Sequence, residues 1–170
     1  NETKTLPTVQ EHILQLLGDK AGAYLSPETR KGISTLIETQ PGLFRRINAE
    51  SVLCHGDMIY SNTLIAGNRP YFIDFEFVHA GSPYQDIGKF FRTKAPEIQS
   101  LIDCSLYAAF ADGYNAAVSS PLPVDWLRLA HLCDIEALLC LINRDSAPAE
   151  WIADVEYDIQ RALREGHPAP

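Results

Sequence analysis

Cys54-His55-Gly56-Asp57-Met58-Ile59-Tyr60-Ser61-Asn62, followed twelve residues later by Ile73-Asp74-Phe75-Glu76, is the stretch on which the reading of this chain turns. An acid and an amide are separated by four residues, and a second acid comes after a gap. Each polar run follows β-prone residues. Ser51–Cys54 leads into His55, and Thr63–Ala66 and Tyr71–Ile73 are joined through Gly67-Asn68, a dipeptide suited to a tight hairpin turn. The polar ends of the two runs are therefore expected to emerge side by side from a hairpin, with Phe75–Val78 extending its second arm.

On either side the periodicity is helical. Thr8 with Glu11 forms a capping box ahead of Val9, Ile13, Leu16 and Leu17, so a helix is expected over 8–17 with Gly18 as its stop. Ser26 and Pro27 are N-cap and first-turn signals for a helix to Thr39, with Pro41-Gly42 ending it. Downstream, helices are expected at about 84–93, 96–118 (opened by Pro96, with Gly113 a point of interruption), 124–144 and 148–165. The sum is an α+β fold: a mostly helical body carrying a small β-hairpin.

The chain has 170 residues, which at roughly 150 per domain predicts a single domain over 1–170. Apolar residues make up 46% and charged residues 21%, enough apolar material for a real core, which argues against disorder. A net charge of −8 lacks the basic footprint of a nucleic-acid binder. No apolar run approaches the roughly 20 residues that span a bilayer, and no signal-peptide pattern opens the chain. Cys54, Cys104, Cys133 and Cys140 form no C-x-x-C pair, and the spacing of seven puts Cys133 and Cys140 on one helix face that is expected to be buried. A reducing, cytoplasmic setting follows. The only methionine is Met58, so the chain is read as a piece of something longer.

The layout around Asp57 suits phosphoryl transfer. That reaction needs one carboxylate aimed at the incoming hydroxyl and oxygen ligands that hold Mg²⁺ on nucleotide phosphates. Mg²⁺ takes one or two carboxylates, with phosphate oxygens and water completing its shell. Asp57 fits the first task; Asn62 and Asp74 fit the second. Taken singly, each is an ordinary turn residue. Zinc is a poor fit, because Cys54, His55 and His79 have no four-ligand spacing, and no G-x-S-x-G elbow exists for a serine hydrolase.

His55-Gly56-Asp57-x-x-x-x-Asn62 with Ile73-Asp74-Phe75-Glu76 resembles the aminoglycoside phosphotransferase and choline kinase group, which is similar in fold to the protein kinases. Gly81-Ser82-Pro83-Tyr84-Gln85-Asp86-Ile87-Gly88 is similar to that group's G-x-P-x-x-D-[LI] element. The resemblance implies a kinase-like C-terminal lobe using Mg²⁺ with ATP or GTP and transferring phosphoryl to a hydroxyl of a small, cationic molecule of aminoglycoside, choline or related amine type. It implies that Asp86 braces the catalytic loop. Three roles stay open for Glu76: second metal, turn cap or substrate contact. His55 is expected to hydrogen-bond the loop backbone. Asp134 and Glu136, acids within the apolar stretch Leu127–Ile142, are candidates for collecting the substrate's ammonium groups; Trp126, Trp151 and Tyr157 are candidate faces for them.

The group's nucleotide site normally lies against an N-terminal β-lobe with a Gly-rich loop and a Lys-bearing strand. The fifty residues before His55 read as helices. This chain is therefore expected to be the catalytic lobe alone, inactive by itself, and to associate, as a homodimer, through surface which that lobe would cover. The alternative is a non-catalytic, kinase-like module binding a cationic metabolite or a protein partner.

Overall fold

In the computed structural model, which describes residues 7–67, 69–92 and 104–165, Thr8 and Glu11 satisfy each other at the head of the first helix, α1 (Val9–Leu17). The Thr8 side chain accepts from Glu11 N, and Glu11 Oε2 accepts from Thr8 N at 2.8 Å, the reciprocal box expected from the sequence. A short α2 (Lys20–Tyr24) follows; at five residues it is too short for an apolar stripe to repeat along it. Helix α3 (Pro27–Thr39) begins with Ser26 accepting from Thr29 N, at the expected bounds.

Pro41-Gly42 does not simply stop the chain there. Pro41 disfavours helical backbone at Gln40 (φ −127, ψ 50) and so ends α3, then serves as the first residue of α4 (Pro41–Ile47). One proline thus breaks one helix and starts another, because a first-turn residue needs no amide donor.

Four short strands come next: β1 (Val52–Cys54), β2 (Thr63–Ala66), β3 (Arg69–Phe72) and β4 (His79–Gly81). The hairpin β2–β3 forms in the register Thr63↔Phe72 to Ala66↔Arg69, while Asn68 of its turn lies outside the described residues. Phe75–Val78 does not extend its second arm. Asp74 adopts φ 67, which turns the chain away, and the next strand, β4, pairs antiparallel with β1 instead. The polar runs therefore leave two separate two-stranded sheets rather than one hairpin.

Helix α5 (Pro83–Phe91) returns the chain to the body, followed by α6 (Cys104–Ala117), α7 (Trp126–Ile142) and α8 (Ala149–Glu165). Pro96, expected to open α6, lies outside the described residues; Gly113 does not interrupt it. Helix α7 is the axis of the fold. Leu129, Leu132, Ile135, Leu139 and Ile142 are fully buried on one stripe, and Ala130, Cys133, Asp134, Glu136 and Leu138 are buried on the other faces, so the helix is covered on nearly all sides. Helices α1, α5 and α8 pack on it. An aromatic cluster of Phe90, Phe91, Tyr107, Phe110 and Trp126, with ring centroids 5.0–6.2 Å apart, joins α5, α6 and α7. Trp126 is thus core rather than an open face. Cys133 is buried but Cys140, two turns on, is exposed between the buried Leu139 and Ile142; the shared buried face holds for only one of them. The described chain is α+β and mostly helical, and among its residues no helix is long and apolar enough to cross a membrane.

Candidate functional site

Asp57 sits in the loop between β1 and a single 3₁₀ turn (Tyr60–Asn62), and that turn carries Asn62 back toward it. The Asn62 side-chain amide, Nδ2, donates to Asp57 Oδ2 at 2.9 Å and to the Asp57 carbonyl at 3.0 Å. Two residues five apart are thereby closed into one ring, which leaves Asn62 Oδ1 and Asp57 Oδ1 for other partners.

Asp74 enters from the far side of the hairpin. Ile73 N donates to Asn62 O at 3.0 Å, so the base of β2–β3 sets Asp74 next to Asn62 in space although twelve residues part them in sequence. Its left-handed φ of 67 is uncommon outside glycine and most tolerable for Asp and Asn; such conformations cost about 1–3 kcal/mol and concentrate at working sites. Asp74 and the neighbouring Glu76 are both exposed.

His55 ties the two runs together. Its Nδ1 accepts from Asp57 N at 3.3 Å, which assigns the proton to Nε2, and Nε2 donates to Ile73 O at 2.9 Å. The ring is buried, with Phe75 at 4.6 Å between centroids. One imidazole therefore spans from the residue before Asp74 to Asp57 itself.

Asp86 holds the loop from beneath. One carboxylate oxygen accepts from His55 N at 2.6 Å and the other from Gly56 N at 2.9 Å. Asp86 lies in the first turn of α5, where the helix dipole favours an anion. Lys89, one turn on, donates from Nζ to the Gly56 carbonyl. Gly56 itself has φ 84, and a Cβ there would lie 2.1 Å from Phe77 O, so only glycine lets the two loops approach this closely. Burial pushes the neighbouring Cys54 thiol up to about 11, making it a packing residue that donates to Ser82 O at 3.3 Å.

Asp134 and Glu136 stand apart from this cluster. Both are buried on α7 and each already has a protein partner. Glu136 accepts from His12 Nδ1 at 2.6 Å and from Gln85 Nε2 at 2.8 Å. Arg92 Nε lies 3.4 Å from Asp134 Oδ2. Burial raises the Asp134 carboxyl above the ordinary range, and Arg92, then Lys89, oppose that rise. Among the described residues Asp134 Oδ1 and Arg92 Nη1 have no hydrogen-bond partner. Their place in an apolar stretch is explained by this interior network. Trp151 lies under the Arg144 guanidinium, 5.1 Å from its centroid, and Tyr157 is exposed. Sequence reasoning missed Lys89, whose signal was its spacing of three from Asp86 on one short helix.

Among the described residues no group of three or more His, Cys, Asp and Glu side chains is placed to hold a metal. A model of the phosphotransferase enzyme family matches residues 3–132 of the chain. No curated protein and no solved structure is matched by it.

Proposed function

The chain belongs to the phosphotransferase enzyme family, and on that premise we propose that it is the catalytic lobe of a kinase that moves the γ-phosphoryl of ATP or GTP onto a hydroxyl of a small cationic molecule. The contact of Asn62 Nδ2 with Asp57 Oδ2, at 2.9 Å, is the observation that carries the proposal. It sets a carboxylate and an amide oxygen around one small volume.

Asp57 orients the acceptor hydroxyl. Its Oδ2 is engaged by Asn62, so Oδ1 is the oxygen left to take the hydroxyl proton as the new P–O bond forms and the bond to the nucleotide leaving oxygen breaks. No covalent intermediate on the protein is needed, since positioning and charge stabilisation carry most of the rate. Asn62 Oδ1 and the Asp74 carboxylate are hard oxygen donors that fit Mg²⁺. When bound, Mg²⁺ supplies neutralisation of phosphate charge. His55 and Asp86 act through the loop. Of the three carboxylates that are candidates for substrate contact, Glu76 is the exposed one, and we assign it that contact.

The chain order of loop, hairpin, acid and bracing helix supports a kinase-like lobe over 1–170. Among the described residues, 7–50 form helices without a Gly-rich strand-turn-strand, which supports weak or no turnover by this chain alone. A thermal-shift titration with Mg²⁺-ATP and Mg²⁺-GTP on the longest natural chain tests the proposal. One nucleotide is expected to raise the melting temperature, and Asp74→Ala to weaken that response. Indifference to both nucleotides overturns it.

A further inference from the structure

Helix α5 meets the Asp57 loop with opposite charges matched to opposite peptide poles. Its anion, Asp86, takes the amides of His55 and Gly56; its cation, Lys89, takes the carbonyl of Gly56. The Gly56 carbonyl and the Asp57 amide belong to one planar peptide unit. The amide end of that unit donates to His55 Nδ1 at 3.3 Å. Both ends of the peptide immediately before Asp57 are therefore held.

That matters because glycine is the residue least able to hold a peptide still. Gly56 sits at φ 84, where glycine is the residue with room to turn, and an uncompensated rotation about its ψ would swing the following peptide and carry the Asp57 Cα–Cβ direction with it. His55 alone is a weak guard, since 3.3 Å is a long hydrogen bond. A charge-assisted bond to the carbonyl is the stronger restraint. Helix α5 is in turn fixed to α7, because Gly88 lets it approach so closely that an added Cβ would lie 2.5 Å from Ala130 O.

We propose that Lys89 is a positioning residue: its ammonium on the Gly56 carbonyl locks the Gly56–Asp57 peptide and so aims the Asp57 carboxylate at Asn62. The role rests on Asp57 being the base of the proposed reaction, but its test needs no nucleotide. Amide hydrogen exchange is measured residue by residue on the 170-residue chain, native and carrying Lys89→Met or Lys89→Arg. Lys89→Met is expected to speed exchange at Gly56 and Asp57 by about tenfold or more, with the amides of α7 unchanged. Lys89→Arg is expected to restore slow exchange, because it returns a cationic donor.

No change at Gly56 and Asp57 in Lys89→Met overturns the proposal. So does acceleration shared equally by α5 and α7, which marks general loosening, or a Lys89→Arg chain that exchanges as fast as Lys89→Met. If Lys89→Met does not fold, Lys89→Gln carries the same readout; if neither folds, Lys89 is a general structural residue and the proposal fails. A chain indifferent to Mg²⁺-nucleotide with this exchange pattern intact would instead sink the phosphotransfer reading and leave the clamp standing.

Discussion

The carboxylate of Asp86 accepts from the main-chain amide of His55 at 2.6 Å, across a gap of thirty-one residues in sequence. Its second oxygen takes the next amide, Gly56 N, at 2.9 Å, so one side chain on α5 fixes two consecutive peptides of the Asp57 loop. Asp86→Asn replaces one of those acceptors with an NH₂ group that faces an N–H. It is expected to destabilise the fold by about 2–3 kcal/mol, the range for losing a hydrogen bond to a charged group and leaving a donor unpaired. Urea unfolding of the two chains checks this; equal midpoints would contradict it.

Gly56→Ala meets two obstacles together: a left-handed backbone and a methyl group 2.1 Å from Phe77 O. The carbonyl is main chain and has no rotamer to change, so the two loops must separate. A loss of about 2–4 kcal/mol is expected, with loss of any thermal response to Mg²⁺-nucleotide. Differential scanning fluorimetry reads both.

Asp57→Asn keeps size and loop hydrogen bonding while removing the proton acceptor. In the longest natural chain, with its acceptor, kcat is expected to fall about 10²–10⁴-fold, the usual span for a general base. The melting temperature is expected to stay close to that of the parent. Unchanged turnover would remove Asp57 from the role.

Acid sensitivity is expected where α8 meets the start of α3. Glu156 on α8 accepts from Ser26 N at 3.1 Å and from Thr29 Oγ1 at 2.7 Å, and the bonds from Ser26 and Thr29 hold its carboxyl below the ordinary glutamate value of 4.5 against the opposing effect of burial. A depressed folded value means the ionised form supports the native state. That contribution is present above about 4.5 and is lost as pH falls through the lower, folded value. Glu156→Gln should therefore cost about 1 kcal/mol near neutrality, and the gap to the parent should close on acidification. Urea midpoints at pH 7, 5 and 3 show whether it does.

Leu53 is 80% exposed, and Ile65, Phe75 and Phe77 are each more than half exposed around the same loops. Apolar groups gathered this way favour association, and a homodimer is expected at high concentration. Light scattering reports the mass; a clean monomer throughout would rule the dimer out.

Much of this architecture was legible because its signals are local. Thr8 with Glu11 and Ser26 with Pro27 marked helix starts to the residue, since a cap is a hydrogen bond within one turn. The Asp57–Asn62 spacing was legible for the same reason. The pairing of β1 with β4 was not, because their contact closes across the whole hairpin and depends on the φ of Asp74, which no neighbouring residue type dictates. Nor did sequence alone place Asp134 and Glu136. An acid in an apolar stretch reads alike whether it lines a pocket or meets a buried partner, and here the partners, Arg92, His12 and Gln85, come from other helices.

Gly88 touches no reactant, yet its missing side chain decides how near α5 can come to α7. A single methyl group there would act as a shim: it would lift the helix together with both of its grips, and tilt the loop without altering one residue that meets a reactant. Activity in this fold can thus be mistuned from the back of the molecule, by a change of thickness alone.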